Sequence, residues 1–346
     1  MILPEILKRV SRSFYLTLRI LPDGVRKPIG LAYLFCRTAD TLADTSLIPP
    51  GERLKVLEWF RAQFRSGEIS WETVREIRNR AAANGEESAD QILLGRIEDC
   101  FRALLECSAG DQDRIRWLVT LLTRGMEMDL TCFPVGGTTP AVPLATDEDL
   151  DRYCYYVAGC VGDFWTRMAV AHFPSMAGWN EATMREWGVR FGKGLQMTNI
   201  IKDLSKDLSR GRCYLPKTLL DRFGLTAVDL QSGPPPDQYR PALVPLIHIA
   251  LDHLTVGRDY ALSVPRREIR LRLACLWPLL FALKTLAAII RSDRLLNPEI
   301  TVKITRREVY SLMALSSILV FSNHRLSCLF NKLKREVINS LPSALA

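Results

Sequence analysis

An all-α helical bundle is the fold this sequence predicts, and three observations predict it. Apolar residues recur at three- and four-residue spacing along most of the chain, whereas strand-like alternation is scarce. Two stretches, residues 30–36 (GLAYLFC) and 194–201 (GLQMTNII), are apolar nearly all round, as helices in the middle of a large bundle are. The breaks between helical runs carry turn chemistry: residues 47–51, then 133–146 with its Pro and Gly, then 231–238 with three consecutive prolines.

The periodicity places helices near 3–20, 26–44, 51–66, 89–107, 111–130, 147–172, 181–208, 240–263, 268–291, 306–322 and 325–340. The chain has 346 residues, 48% of them hydrophobic, enough for one large core. No change of composition divides it and no fixed-period repeat appears, so residues 1–346 read as a single domain.

The net charge of +8 is spread along the length with no long Lys/Arg block. That argues against nucleic acid and suits a polyanionic substrate or an anionic membrane face. The first residues, MILPEILKRVSRSF, lack the apolar segment and cleavage site of a signal peptide. Of nine Cys, Cys36, Cys154, Cys160 and Cys275 sit in apolar helical patterns and read as buried thiols in a reducing compartment, hence a cytoplasmic protein. There is no zinc spacing; His248 and His253, five apart, do not share a helix face. The apolar run 309–322 has 14 residues, short of the roughly 20 that span a bilayer, and reads as a core helix.

Two Asp-x-x-x-Asp pairs carry the chemistry: Asp40 and Asp44 in RTADTLAD, Asp203 and Asp207 in NIIKDLSKD. Residues four apart stand one turn apart on one helix face. Each pair follows an apolar run, so each ends a mostly buried helix. Two like charges there repel and are poorly solvated, and a cation must compensate. Surface ion pairs, Asp40 with Arg37 and Asp203 with Lys206, are one answer, each worth under about 1 kcal/mol. Mg²⁺ is the other, since it binds one or two carboxylates plus substrate phosphates. Two pairs facing each other would surround a diphosphate. Asn199, four before Asp203, adds an amide oxygen on the same face.

These residues closely resemble the squalene/phytoene synthase family. Residues 11–14 (SRSF) are similar to its N-terminal block, and 33–44 (YLFCRTADTLAD) to its first aspartate-rich motif. Residues 153–162 (YCYYVAGCVG) resemble its tyrosine block, and 196–216 (QMTNIIKDLSKDLSRGRCYLP) its second aspartate-rich motif. The tyrosine block reads most like squalene synthases, and residues 302–304 (VKI) resemble the segment associated with NADPH there.

The resemblance implies a single isoprenoid-synthase bundle with a central apolar cavity. It implies Mg²⁺-assisted loss of diphosphate from one farnesyl diphosphate and alkylation of the second. Proton loss then gives presqualene diphosphate, and NADPH reduction gives squalene. In that picture Asp40, Asp44, Asn199, Asp203 and Asp207 hold metal. Ser11, Arg12, Ser13, Tyr33, Arg37, Gln196 and Arg212 bind substrate, the guanidinium groups gripping phosphate bidentately. Tyr153 stands at the catalytic tyrosine position, where a phenol can move a proton and its ring face a cation. Val157, Ala158, Gly159, Val161 and Gly162 wall out water, their small size leaving room for a prenyl tail. Lys303 is the implied NADPH contact.

Two departures from the family pattern stand out. Lys202 replaces the usual Arg and loses its bidentate fork. Ala43 replaces an acidic residue common in eukaryotic squalene synthases. The sequence shows no C-terminal span like that of those relatives. It fits a monomer with peripheral membrane contact, helped by the basic stretch 331–337 (NKLKREV). Alternatives within the family end at presqualene diphosphate, dehydrosqualene or, from geranylgeranyl groups, phytoene. A terpene cyclase lacks support because neither of its metal motifs is present, and a non-catalytic helical protein is disfavoured by the four intact aspartates.

Overall fold

The computed structural model describes residue 7 and residues 14–44, 48–65, 67–81, 88–133 and 140–341. The all-α reading holds: helices dominate, and the two strands found are three and five residues long. The chain falls into two compact units.

The first unit comprises Met1–Thr131 and Phe164–Pro174. Its helices are α1 (Phe14–Ile20), α2 (Asp23–Asp44), α3 (Pro50–Arg65), α4 (Trp71–Ala81), α5 (Ala89–Gly95), α6 (Ile97–Leu105) and α7 (Ala109–Cys132, to Thr131 in this unit). As the all-round apolar run 30–36 predicts, α2 is the central helix, packed against α1, α3, α5 and α6. Its inner face carries Leu31, Leu34, Phe35, Ala39 and Leu42, all fully buried. Phe35 meets Phe64 of α3 edge-on at 4.9 Å and Phe101 of α6 at 4.9 Å. Such ring pairs add about 0.5–1.5 kcal/mol each beyond the area they bury. That aromatic knot fixes the rotation of α2 and so fixes which residues its other face presents.

The pattern gave no hint of α4, because among its described side chains only Val74 and Ile77 are buried and apolar. Its polar side chains are held by ion pairs instead, Arg80 to Glu76 at 2.7 Å and Arg80 to Glu52 of α3.

The second unit comprises Cys132–Asp163 and Ser175–Ala346. It holds β1 (Val142–Leu144), α8 (Asp147–Cys154), a π-helical turn (Tyr155–Gly159), the start of α9 (Cys160–His172), α10 (Glu181–Lys202), α11 (Leu204–Ser209) and β2 (Arg212–Pro216). The short α12 (Lys217–Arg222) and α13 (Ala227–Gln231) follow. Four longer helices complete it: α14 (Pro236–Ser263), α15 (Ile269–Arg291), α16 (Arg306–Leu319) and α17 (Asn323–Ile338). β1 and β2 pair in parallel, Val142 opposite Arg212.

The middle position here belongs to α10, packed against α8, the π turn, α14 and α15. Glycines let it come close. A methyl group on Gly162 would lie 1.9 Å from the Gly188 carbonyl oxygen, and one on Gly192 would lie 2.2 Å from that of Ala158. Backbone touches backbone at both places. This corrects the expectation that Gly162 leaves room for a prenyl tail: the space beside it is filled by α10.

Three helices predicted as continuous are interrupted. Residues 89–107 break at Arg96, which ends α5 and begins α6. Residues 147–172 contain the π turn, in which the Cys160 amide donates to the Tyr155 carbonyl. Residues 181–208 break at Asp203, which ends α10 and begins α11. Apolar periodicity does not report such one-residue changes of winding.

The run 309–322 is also not a core helix. In α16 only Leu312 and Ser316 are buried. Hydropathy reports composition, and here the covered side is the narrow one. The core helix is α15: by length and composition it could cross a membrane, but 78% of its most apolar window is buried inside the protein. Cys154, Cys160 and Cys275 are buried as expected, and Cys36 is half-buried.

If the two backbone contacts fix α10, Gly162→Ala should lose about 2–4 kcal/mol of stability in urea unfolding. Gly24→Ala, where a methyl meets nothing within 4 Å, should stay within about 1 kcal/mol of the parent. Equal stabilities for the two variants would contradict the packing described.

Candidate functional site

On α2, Tyr33, Arg37, Asp40 and Asp44 follow one another at one-turn spacing along the face turned away from the phenylalanine knot. Arg37 pairs with Asp40 and, through its other terminal nitrogen, with both carboxylate oxygens of Asp90 at 2.9 and 3.0 Å. The ion-pair alternative weighed for Asp40 is therefore present. Asp90 sits at the start of α5, set by the Ser88–Gln91 capping box. Sequence reasoning missed Asp90; the signal was available in the Ser-x-x-Gln pattern, but nothing in spacing ties residue 90 to residue 37.

Burial raises the Asp40 pKa; Arg37 opposes that, and Asp44 and Asp90 add to it. The side chain is 43% exposed, so the carboxyl is crowded by protein yet reachable from solvent. Burial disfavours charge on Arg37, but the carboxylates of Asp40 and Asp90 outweigh it and raise its pKa. The Tyr33 phenol is likewise raised by burial.

In the second unit, Gln196, Asn199, Asp203 and Asp207 occupy one stripe that crosses the α10–α11 break. The break preserves the register: the Asp203 amide donates to the Asn199 carbonyl at 2.8 Å, and the Asp207 amide to the Asp203 carbonyl at 3.0 Å. Lys202, not Lys206, answers Asp203, at 3.1 Å, and its ammonium also donates to the Asn199 side-chain oxygen at 3.0 Å. Asp207 is the most perturbed carboxyl here. Burial and the neighbouring Asp203 push it up to about 7, against Arg212, Arg210 and Lys206.

Arg212 reaches this place because Gly211 turns the chain with φ +79°, a conformation that glycine adopts without strain, and the strand β2 starts at once. Two residues along β2, the buried Tyr214 ring stacks on Tyr153 at 4.5 Å and 28°. Phe133 closes the other side edge-on at 5.1 Å. Tyr153 is thus buried in the last turn of α8, two residues before the π turn begins. The structure brings Tyr153 to the same strand that carries Arg212. Sequence reasoning missed Tyr214, although it lies inside the block 196–216.

Val157 and Ala158 are half-buried in the π turn, and Gly159 is buried against Val189 and Lys193 of α10. Val161 is half-buried at the start of α9. Gly159 thus serves helix packing as Gly162 does. Ser11, Arg12 and Ser13 lie outside the described residues. Lys303 is exposed on the stretch between α15 and α16, beside buried Val302. One exposed lysine does not make a dinucleotide site, and no NADPH step is derived from it.

The carboxylates do fit Mg²⁺. Among the described residues no three His, Cys, Asp or Glu side chains form a complete cage. A pair of hard oxygen donors is what Mg²⁺ takes from protein when phosphates and water supply the rest. A dication beside Asp207 would also reverse the cost that holds its pKa near 7.

The squalene/phytoene synthase family model matches residues 7–308. This chain belongs to the squalene/phytoene synthase family. A presqualene diphosphate synthase from Rhodopseudomonas palustris is 31% identical over 262 residues, 75% of this chain and 78% of that one. A squalene synthase from Eremothecium gossypii is 27% identical over 303 residues, 86% of this chain. The chain spans 64% of that squalene synthase's length. Among solved structures, a dehydrosqualene synthase in complex with ligand superposes with a TM-score of 0.63 at 20% identity, covering 92% of this chain and 95% of that one. That likeness shows the shared helical fold. The family match runs through residues of both units.

The raised Asp207 pKa has a signed consequence for this family member. Between the unfolded Asp value near 4 and about 7, the folded chain keeps a proton that the unfolded chain has lost. Metal-free stability therefore falls as pH rises through that window. Asp207→Asn removes the effect and should exceed the parent by about 2–4 kcal/mol at pH 8, with little difference at pH 4, in urea unfolding with EDTA. A difference that does not change with pH would contradict the burial of this carboxyl.

Proposed function

We propose that this chain is a Mg²⁺-dependent prenyltransferase that condenses two farnesyl diphosphates head to head into presqualene diphosphate. One observation carries the reading: Asp203 caps the central helix α10 and Asp207 stands one turn on in α11, pushed up to about 7 with Arg212 beside it. A carboxyl left so short of positive charge is suited to a metal ion. Family membership and the relative from Rhodopseudomonas palustris support the chemistry.

Mg²⁺ would be held by Asp40 and Asp44 at the first aspartate pair and by Asp203, Asp207 and Asn199 at the second, and would supply Lewis-acid neutralisation of a departing diphosphate. Arg212 and Arg37 offer guanidinium forks to phosphate oxygens. Substrate phosphate would then replace a carboxylate as a partner of Arg37, which Asp40 and Asp90 hold in readiness. Tyr153, its ring fixed by Tyr214, presents a phenol suited to relaying a proton, taking the substrate's as it passes its own to released diphosphate, and a ring face suited to a nearby cation.

Reduction of presqualene diphosphate to squalene with NADPH is the further half of the reading, supported by the resemblance to squalene synthases. The Rhodopseudomonas palustris relative favours an enzyme that stops one step earlier. Product analysis with farnesyl and with geranylgeranyl diphosphate, each with and without NADPH, separates these. Presqualene diphosphate from farnesyl diphosphate is the expected result; phytoene from geranylgeranyl diphosphate would overturn it, and squalene on addition of NADPH would add the reductive half.

Asp203→Ala should lower turnover by at least about a thousandfold while leaving the circular-dichroism spectrum unchanged. Tyr153→Phe should slow presqualene diphosphate formation by about a hundredfold. Parent-level turnover in either variant would remove that residue from the proposed machinery.

A further inference from the structure

Helix α16 is oriented against its own sequence. Tyr310 is 62% exposed, Leu315 41%, Ile318 73%, and Phe321, just beyond the helix end, 58%. Residues 310, 314 and 318 lie four apart, and 321 three further on, so these side chains make one outward stripe. The orientation is anchored from beneath. Leu312 and Ser316 are the buried positions, and the buried Trp277 indole of α15 donates to the Ser316 hydroxyl at 3.2 Å. Rolling the helix to hide the stripe would leave that indole without its acceptor.

The surroundings are one-sidedly basic. Residues 305–341 contain six Lys and Arg against two acidic residues, Glu308 and Glu336. Both acids are drawn to Lys284 of α15, at 3.3 and 3.0 Å, and Glu336 also to Arg291 at 3.0 Å. Arg306 and Arg307 at the start of α16, and Arg325 just after Phe321, are exposed.

An apolar stripe with an aromatic at each end, rimmed by cations whose acidic neighbours are already engaged, matches an anionic lipid surface. A symmetric contact between two copies would bury the stripe equally well but would bring like charges together. We propose that α16 and Phe321 form a membrane-docking face. Tyr310, Leu315, Ile318 and Phe321 enter the headgroup region of an anionic bilayer, and Arg306, Arg307 and Arg325 meet lipid phosphates. The helix lies in the plane of the surface and does not cross it. This moves the membrane contact from the basic stretch 331–337 that the sequence suggested to the helix before it.

The test is flotation of the full chain with vesicles of phosphatidylcholine, with and without phosphatidylglycerol. The parent should bind the anionic vesicles, and salt should weaken that binding. Ile318→Asp with Phe321→Asp should lower the partition coefficient at least about tenfold. Arg306→Gln with Arg307→Gln should lower it on anionic vesicles only. Ile318→Ser with Phe321→Ser replaces the first pair should thermal melts show that it unfolds the chain. Failure of the parent to bind, or parent-like binding by the apolar-stripe variants, overturns the proposal. So does light scattering that shows a dimer which the Ile318 and Phe321 substitutions dissolve, because the occupant would then be a second copy.

Discussion

The constraint on which this structure turns is electrostatic: carboxylates four residues apart at the ends of mostly buried helices. Water stabilises a carboxylate better than protein does, and a second carboxylate one turn away makes matters worse. At Asp40 the protein supplies one cation, Arg37, shared with Asp90, and burial still raises the carboxyl's pKa. At Asp207 the nearby cations do not suffice either, and burial with Asp203 pushes the carboxyl up to about 7. Both pairs are thus left with unmet demand for positive charge. That demand is the physical basis for assigning metal and diphosphate to them.

The rest of the second unit holds its own pair in place. Backbone contact at Gly162–Gly188 and Ala158–Gly192 fixes α10 against the segment that carries Tyr153. The π turn absorbs the extra residue between Tyr153 and these contacts, and the positive φ of Gly211 returns the chain so that Arg212 and Tyr214 come back to the same end. Small changes of winding, at Tyr155–Gly159 and at Asp203, therefore decide where four functional side chains stand. None of them changes the burial pattern of the long helices.

This explains what was legible in the sequence and what was not. The two central helices were readable because each contains a stretch, 30–36 or 194–201, that is apolar nearly all round, and each Asp pair because helical spacing puts it on one face. The tyrosine block and its relation to Arg212 rested on family resemblance. Asp90 and Tyr214 escaped because each meets its partner across the fold, at 53 and 61 residues' separation, where no periodicity operates. The roles of Gly162 and of α16 were misread for one shared reason. Composition reports that a residue is small or apolar; only packing reports what lies against it.

The most direct measurement is the ¹³C carboxyl titration of Asp207, assigned with Asp207→Asn, in metal-free protein and again with Mg²⁺ and inorganic pyrophosphate. The account predicts a midpoint near 7 without metal, moving well into the acid range when both are added. A metal-free midpoint at the ordinary value near 4, or one that Mg²⁺ and pyrophosphate leave in place, would contradict it.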